Sequence, residues 1–465
     1  MSFVAGGETF VDRLARSWWR LLVLVIAALG SSFFLLYLLR GLRTVVLGAE
    51  LAAAAGFFLL CFAHPYATLA ASVFVFSSGL DVFIPGPVSF ALVAIVVARA
   101  LFDNLSGHGI DWGTKPFRVS LALLLGFALT SLVMARSMSG SWGIIKQILW
   151  GAAFLVSIST YVDRSSKLRV VMTMVVVGFA VSVATLLVRI VNAGGLLILL
   201  QPTGAVRVGF GDPNFTAIQA CVLIPLLAHL LGRGALWRRL ALLPVPLLLV
   251  SIVILSASRV GMVLLVLVSL LLVFRARRAR PLVMLALAGL GVVLLNLPSK
   301  YWIRFTDLGQ FGGILIDRSL RLRQHALEAG WEIFREHPWI GVGLGNFGSE
   351  SPRYMSVPLW AHNTYLDIAA TLGGFGFLVY VAWQLSALDM LVRAYRLWAI
   401  AGRREEQALV FALGTSLVLY YLAAATLDLG FAPMLWILMG FANASRREAE
   451  MGIGWRSAGN TPGLA

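Results

Sequence analysis

Charged residues are scarce in this sequence. Only 12% of its 465 residues are Asp, Glu, Lys or Arg, whereas 60% are hydrophobic. A typical soluble domain carries about 25% charged residues, because its surface must be solvated. The scarcity of charge therefore excludes a soluble globular protein and indicates a protein that lies in a membrane.

Cysteines and metal-binding patterns are also sparse. The sequence has two cysteines, Cys61 and Cys221, and both fall in apolar segments, so no disulfide framework is expected. The six histidines lack metal-ligand spacing, and neither an HExxH nor a Walker A sequence is present. The GxGxxG match at 343–348 follows no predicted strand, which excludes a dinucleotide site. We expect no metal, no cofactor and no ATP hydrolysis, so the energy for any reaction should come from the substrate.

Long apolar segments recur along the whole chain. Their lengths approach the roughly 20 residues that cross a bilayer, and the alternation of a transmembrane β-barrel is absent. The sequence predicts an all-α, polytopic transmembrane helical bundle of about 12–14 helices. One membrane domain is expected over 1–450, with a disordered cytoplasmic tail over 451–465. The segments lie near 19–39, 44–63, 66–81, 88–102, 117–135, 144–162, 168–191, 214–231, 240–257, 260–274, 281–297, 364–384, 407–426 and 429–443; of these, 66–81 and 88–102 are candidates for broken or re-entrant helices.

The net charge of +16 is explained by membrane topology rather than by a surface that binds nucleic acid. The basic residues form small clusters in short loops and tails, and nearly all clusters fall on one side if the helices alternate. This is the positive-inside pattern, with Arg40 and Arg43 as the exceptions. It predicts cytoplasmic termini and a large loop over 298–362 on the outer side.

The pair His362-Asn363 stands at the end of this loop, directly before an apolar helix. Histidine takes or gives a proton near neutral pH, so a histidine where water meets the bilayer is a candidate base for chemistry on a lipid-linked substrate. From His362 to Gly373 is eleven residues, or three helical turns, which predicts that both lie on nearly one face. Alternatively the pair caps the helix, since Thr364 and Asp367 form a Thr-x-x-Asp capping pattern.

Several arginines of the outer loops surround this position. Arg207 lies in a loop between two segments, Arg259 in a very short turn, and Arg321 and Arg323 in the large loop. A guanidinium stays charged and offers a fork of donors that suits diphosphate oxygens. For any one of them, contact with lipid headgroups is the simpler interpretation. Several arginines near one base make a diphosphate site more plausible.

Residues 319–336 show the pattern of an amphipathic helix. At about 100° per residue, Leu320, Leu327, Trp331 and Phe334 gather in one apolar stripe with Arg323 at its edge. Arg321 shares the opposite side with Glu328, Glu332 and Arg335. We expect an external helix whose apolar stripe faces the bundle, with Arg323 turned inward and Arg321 solvated; Pro338 ends it.

Three stretches resemble a known family. They are 207–215 (Arg-Val-Gly-Phe-Gly-Asp-Pro-Asn-Phe), 256–261, and 323–363 with Glu336-His-Pro-Trp-Ile-Gly-Val-Gly-Leu-Gly-Asn-Phe347 inside it. His362-Asn363, nine residues and then Gly373-Gly-Phe-Gly376 fits the pattern described for O-antigen ligases. Over roughly 200–380 the chain resembles the O-antigen ligase and polysaccharide polymerase family, integral-membrane glycosyltransferases of GT-C type.

This resemblance implies a reaction and its residues. The donor is a glycan linked to undecaprenyl diphosphate in the bacterial inner membrane, and a hydroxyl of another glycan attacks it at a periplasmic active site. By family analogy His362 is the base, and Arg207 and Arg323 bind the diphosphate; Arg259 is a further candidate. Transfer should invert the anomeric configuration without a metal or a covalent intermediate. Residues expected to support the site are Asn363, Asn214, Gly373 and Gly376.

The acceptor and the class of activity remain open from the sequence. A ligase delivers the glycan to lipid A–core, in lipopolysaccharide biosynthesis, whereas a polymerase of O-antigen or exopolysaccharide delivers it to another repeat unit. A lipid-glycan transporter is a more distant alternative. Transporters usually line a path across the membrane with ionisable groups deep in the bundle. Here the deep candidates are few and scattered: Glu50, Arg99, Arg189 and Asp428.

Overall fold

The computed structural model describes residues 42–80, 88–107, 109–192, 212–232, 236–275, 314–355 and 359–459. Throughout these ranges every regular element is helical, which confirms the all-α prediction. Two 3-10 turns, Ser131–Met134 and Ser351–Arg353, accompany the α-helices. The helices are α1 (Leu42–Ala63), α2 (Pro65–Ser78), α3 (Val88–Leu105), α4 (Lys115–Thr130), α5 (Met138–Tyr161), α6 (Ser165–Asn192), α7 (Pro213–Leu231), α8 (Leu236–Leu242), α9 (Val245–Leu255), α10 (Arg259–Arg275), α11 (Ile314–Glu336), α12 (Phe347–Glu350), α13 (Thr364–Ile400), α14 (Arg404–Ala424) and α15 (Pro433–Gly459).

Seven helices of the described ranges are long and apolar enough to cross a bilayer. They are α3, α4 with its 3-10 extension, α5, α6, α7, α13 and α14, and α1 and α2 together form a bent pair that meets the same criteria. The chain is therefore a multi-pass membrane protein. The predicted segments 240–257 and 260–274 form the shorter helices α9 and α10. The segments 19–39 and 281–297 lie outside the described residues, so the total of about 12–14 helices stays a prediction.

The bend of 108° between α1 and α2 lies at His64 and Pro65. Proline has no N–H to continue a helix, but its fixed φ suits the first position of a new one, which Pro65 occupies in α2. A break was expected for the segment 66–81, and the bend stands just before it. The same expectation for 88–102 is wrong, because α3 runs through it without interruption.

The last helix, α15, forms the centre of the bundle. Its residues from Met434 to Phe441 are almost completely buried, and the Trp436 ring lies 4.8 Å from that of Trp383 in α13. A Cβ on Gly151 of α5 would come within 2.1 Å of Trp436, so only glycine leaves room for this ring. The helix continues to Gly459, and the disordered tail expected from residue 451 stays a prediction.

The bundle has two polar ends with different residues. At one end, called the Arg446 end, Arg446 forms ion pairs with Asp111 and Glu450. At the other, called the His362 end, the loop after α11 packs on the start of α5, where Asn346 Oδ1 accepts from the backbone N–H of Ser137 at 2.6 Å. The candidate base, the amphipathic helix and the glycine-rich loop all lie at the His362 end.

Candidate functional site

Helix α13 is interrupted at Gly373, close to its start. Gly373 has φ 70° and ψ −177°, which is non-helical and disfavours an L side chain. A Cβ there would also lie 2.3 Å from the carbonyl carbon of Trp339, so the loop approaches more closely than any side chain permits. The shared face predicted for His362 and Gly373 assumed an unbroken helix, whereas α13 begins at Thr364 and is interrupted at Gly373.

The interruption docks the loop that leads to His362. The carbonyls of Ala370 and Thr371 accept from the N–H groups of Val342 at 3.1 Å and Gly343 at 3.0 Å. In an unbroken helix these carbonyls would accept hydrogen bonds from N–H groups of the following turn. The sequence pattern Gly373-Gly-Phe-Gly376 is thus explained by packing of the loop on α13.

Gly376 has a second packing role. A Cβ at this position would lie 2.4 Å from Cβ of Leu372, a fully buried residue one turn earlier. The two glycines therefore shape the scaffold of the site rather than touch a substrate directly.

His362 itself is held in a left-handed backbone conformation. Its φ is 50°, and its N–H donates to Oδ2 of Asp428 at 3.1 Å. A non-glycine residue rarely adopts this conformation unless its surroundings stabilise it, and such positions are frequent in active sites. Asp428 thus orients the half-buried His362 from the loop between α14 and α15.

The cap of α13 is provided by Asn363 and not by the predicted Thr364–Asp367 pattern. Asn363 Oδ1 accepts from the N–H groups of Tyr365 at 3.0 Å and Leu366 at 3.1 Å. Asn363 is therefore the N-cap of α13, as the alternative interpretation of the pair predicted, and its support of the site stays a prediction.

Thr364 connects α13 to the neighbouring loop. Its hydroxyl donates to the carbonyl of Leu427 at 2.8 Å and accepts from the N–H of Leu429 at 2.7 Å. These two bonds bracket Asp428 and fix it beside His362. The sequence singled out Asp428 only as one of a few scattered ionisable residues, and its contact with His362 was not predicted. Its signal in the sequence is a single acidic residue in a short break between two apolar segments.

The electrostatic setting keeps His362 neutral. Burial lowers the pKa of His362, the positive charge of Arg323 lowers it further, and the carboxylate of Asp212 opposes the shift. A neutral imidazole has a nitrogen lone pair that can accept a proton. Burial also raises the pKa of Asp428 to about 6, although the N–H groups of His362 and Asn363 and the charge of Arg323 counter it. Histidine, arginine and two carboxylates therefore share one polar recess.

Three buried polar atoms in this recess have no hydrogen-bond partner among the described residues. They are Nδ1 of His362, Oδ1 of Asp367 and Oδ1 of Asp428. Buried polar atoms are nearly always paired, and the exceptions commonly serve catalysis or bind a polar group. Their concentration beside His362 marks this part of the bundle as the candidate site.

Arg323 reaches the recess from α11. It is half-buried, whereas Arg321 is exposed, as the sequence predicts. Within the described ranges the Arg323 guanidinium makes no ion pair or hydrogen bond, so its fork of donors is available to a ligand.

The docking face of α11 differs from the predicted one. The buried side carries Ala326, Ala329 and Ile333, whereas Leu327 and Trp331 of the predicted stripe are exposed. Small residues let the helix approach closely: a Cβ on Gly330 would lie 2.7 Å from Cδ2 of Leu366 in α13. In the structure α11 is rotated about its axis relative to the prediction. Arg323 therefore lies between the buried side and the exposed apolar side of the helix.

The remaining candidates fall into two groups. Asn214 donates to Oδ1 of Asp212 from its backbone N–H at 2.7 Å and its side chain at 3.0 Å, and so holds that carboxylate at the start of α7. Arg259 is half-buried at the first residue of α10, at the same end of the bundle, and its approach to His362 stays a prediction. Arg207 lies outside the described residues.

Within the described residues, no group of three or more His, Cys, Asp or Glu is arranged to hold a metal ion. Independence from metals stays a prediction, because parts of the chain are outside these residues.

A comparison with known families matches part of the chain. Residues 244–381 match the family model described as O-Antigen ligase. The matched range holds α10, α11, the docked loop, His362 and the first half of α13, and it includes two of the three stretches that carry the resemblance. No curated protein matches the chain. The resemblance to O-antigen ligases is thus confirmed over this range, and it indicates an enzyme of the ligase and polymerase type.

Proposed function

We propose that this multi-pass protein of O-antigen ligase type moves a glycan from undecaprenyl diphosphate onto the lipid A–core acceptor. The reaction takes place at the His362 end, which we assign to the periplasmic face of the inner membrane. The observation that carries the proposal is a half-buried His362 whose pKa is lowered by burial and by the charge of Arg323. A base kept neutral beside a fixed cation is what attack on a diphosphate-linked sugar requires.

The proposed step is a direct displacement at the anomeric carbon. The acceptor hydroxyl oxygen forms a bond to this carbon, and the bond to the diphosphate oxygen breaks with its electron pair leaving on the diphosphate. The hydroxyl proton passes to the imidazole of His362. Because attack and departure occur on opposite faces, the anomeric configuration inverts.

Arg323 has two roles in this scheme. Its forked guanidinium stabilises the negative charge that builds on the leaving diphosphate. Its charge also adds to the effect of burial in lowering the pKa of His362, which favours the neutral imidazole. Arg207 and Arg259 are proposed as further ligands of the diphosphate.

Asp428 is a positioning residue in this scheme. Its carboxylate accepts the N–H of His362 and so maintains the left-handed backbone that directs the imidazole. Asn214 acts one step further away, because it holds Asp212, whose charge also influences His362.

Reconstitution with defined substrates tests the function. Purified protein in liposomes receives the undecaprenyl-diphosphate-linked glycan with lipid A–core or with no second acceptor, and the products are sized. We expect glycan on lipid A–core only when that acceptor is present. Elongation of the donor glycan without lipid A–core would identify a polymerase instead. Movement of donor between leaflets without new glycosidic bonds would identify a transporter.

A further inference from the structure

An exposed apolar surface lies beside the candidate site without belonging to it. It consists of the exposed Trp331, Trp339, Ile340 and Phe375 with the half-buried Phe334, and it is called the aromatic patch. Trp331 is 54% exposed, Trp339 66% and Phe375 53%, although large apolar side chains normally avoid water. None of these residues contributes to the reaction proposed above.

The patch draws on three segments of the chain. The rings of Trp331 and Phe334 in α11 lie 5.7 Å apart, and those of Trp339 in the loop and Phe375 in α13 lie 5.5 Å apart. A Cβ on Gly374 would lie 3.9 Å from Cε2 of Phe334, so the ring of Phe334 reaches the residue before Phe375. The two ring pairs therefore lie next to each other, and Ile340 follows Trp339 in the loop.

Helix α11 has three distinct sides around its axis. One side, with Ala326 and Ile333, is buried against the bundle. A second is polar and includes the Arg335–Glu332 ion pair of 3.1 Å. The third is the exposed apolar side with Trp331. A helix with this division lies where protein, water and lipid meet, because each side then has its preferred neighbour.

The patch continues a surface that must contact lipid. Phe375 and the exposed Leu378 belong to α13, one of the helices that is long and apolar enough to cross the bilayer. Exposed apolar residues on such a helix contact acyl chains, and Trp is enriched where the chains meet the headgroups. Trp339 packs on Phe375 and extends this surface from α13 into the loop.

We propose that the aromatic patch inserts into the bilayer leaflet nearest to His362 and contacts the acyl chains of its lipids. The loop and α11 then rest on the membrane instead of projecting into water. Arg323 is thereby held near the headgroup level, where the polar group of any lipid-linked molecule lies. The proposal depends on the membrane character of the protein and not on the glycosyl transfer proposed above.

Site-directed spin labelling tests this placement. The native Cys61 and Cys221 are buried, with 7% and 0% exposure, so a nitroxide reagent should label an introduced cysteine selectively. Trp331→Cys and Trp339→Cys report on the patch, and Arg335→Cys on the polar side of α11 is the matched control. The full-length variants are reconstituted in phospholipid bilayers, and wild-type protein treated with the reagent gives the background.

Collision with oxygen, which concentrates in hydrocarbon, is compared with collision with a water-soluble nickel chelate. We expect the oxygen-to-nickel ratio to be several-fold higher at positions 331 and 339 than at 335. Ratios as low as that at 335 would place the patch in water and overturn the proposal. Low collision with both reagents would mean that protein covers the patch, which would also overturn it. If a tryptophan variant fails to fold, Leu327→Cys and Ile340→Cys give the same readout with smaller changes in volume.

Discussion

Replacing Arg323 should have two separable effects on transfer, on rate and on pH dependence. The residue is half-buried on α11, and its charge lowers the pKa of His362. Its neighbour Arg321, two residues earlier, is exposed on the other side of the same helix. Arg321→Ala and Arg323→Ala each remove one positive charge from α11. A difference between the two variants therefore reports on the position of Arg323 and not on the charge of the helix.

The expected loss of rate follows from the role of the guanidinium. Removal of one preorganised donor that stabilises developing charge costs about 10²- to 10³-fold in kcat. Arg323→Ala should fall in this range. Arg321→Ala should stay near wild type, because an exposed charge contributes little to stability or catalysis.

The pH profile gives the second readout. His362 acts as a base only when it is neutral, so activity falls as the pH drops through its pKa. Because Arg323 lowers the pKa of His362, Arg323→Ala should raise it and shift the acidic limb of the profile to higher pH. Arg323→Lys keeps the charge but loses the fork, so its limb should stay in place while kcat still falls.

Transfer rates in proteoliposomes across a pH series and a range of donor concentrations measure both effects, since kcat gives the loss of rate and the pH profile of kcat/KM gives the pKa of His362 in the free enzyme. Equal losses in Arg321→Ala and Arg323→Ala would mean that helix position does not matter, and the diphosphate role of Arg323 would be lost. A large rate loss in Arg323→Ala without any shift of the acidic limb would refute its electrostatic coupling to His362.

Three further predictions follow from the scaffold and the recess. Gly373→Ala should destabilise the fold by about 1–3 kcal/mol from its left-handed backbone alone, plus the clash with the loop; thermal unfolding in detergent measures this, and Gly414→Ala, inside α14 with no atom within 4 Å, should be at least as stable as wild type. Asp428→Ala leaves the buried N–H of His362 unpaired, at a cost of about 1–3 kcal/mol in stability. It should change kcat more than KM, whereas Asp389→Ala, which removes a distant ion pair, should leave kcat unchanged. Excess EDTA should leave transfer intact, and a loss restored only by a divalent cation would reveal a metal site.

The sequence predicts the class of fold well because hydrophobic length is a local property. The apolar segments locate the first residues of α3, α4, α6, α7, α13 and α14 within about three residues, although α13 continues to Ile400, well beyond the predicted end at 384. Pro65 marks the bend between α1 and α2. The depth of a helix in the bundle is not local. The segment 429–443 resembles the other apolar segments, yet in α15 it forms the buried centre.

The candidate site was predicted in part. His362, Asn363 and Arg323 are recognisable because each stands at a polar break in an apolar sequence. Asp428 lies 66 residues after His362, and its contact with that residue depends on the Thr364 hydrogen bonds that join two loops. Pairings of this kind arise from tertiary packing and have no signature in local sequence.

The docking side of α11 shows where helical periodicity misleads. The pattern places Leu327 and Trp331 on the most apolar side, and in a soluble protein that side would face the core. In a membrane the lipid also accepts apolar residues, so the small residues Ala326 and Ala329 can occupy the protein contact instead. The hydrophobic pattern alone does not distinguish these two environments.

The central claim is that His362 is the base, and the transfer rate of His362→Ala tests it most directly. The variant and wild type are purified, reconstituted at equal amounts and supplied with lipid-linked donor and lipid A–core, with His325→Ala, an exposed histidine of α11, as the control. We predict that His362→Ala folds and inserts normally but loses at least about 10²-fold in rate, while His325→Ala stays near wild type. Near-normal product formation by well-folded His362→Ala would contradict the mechanism.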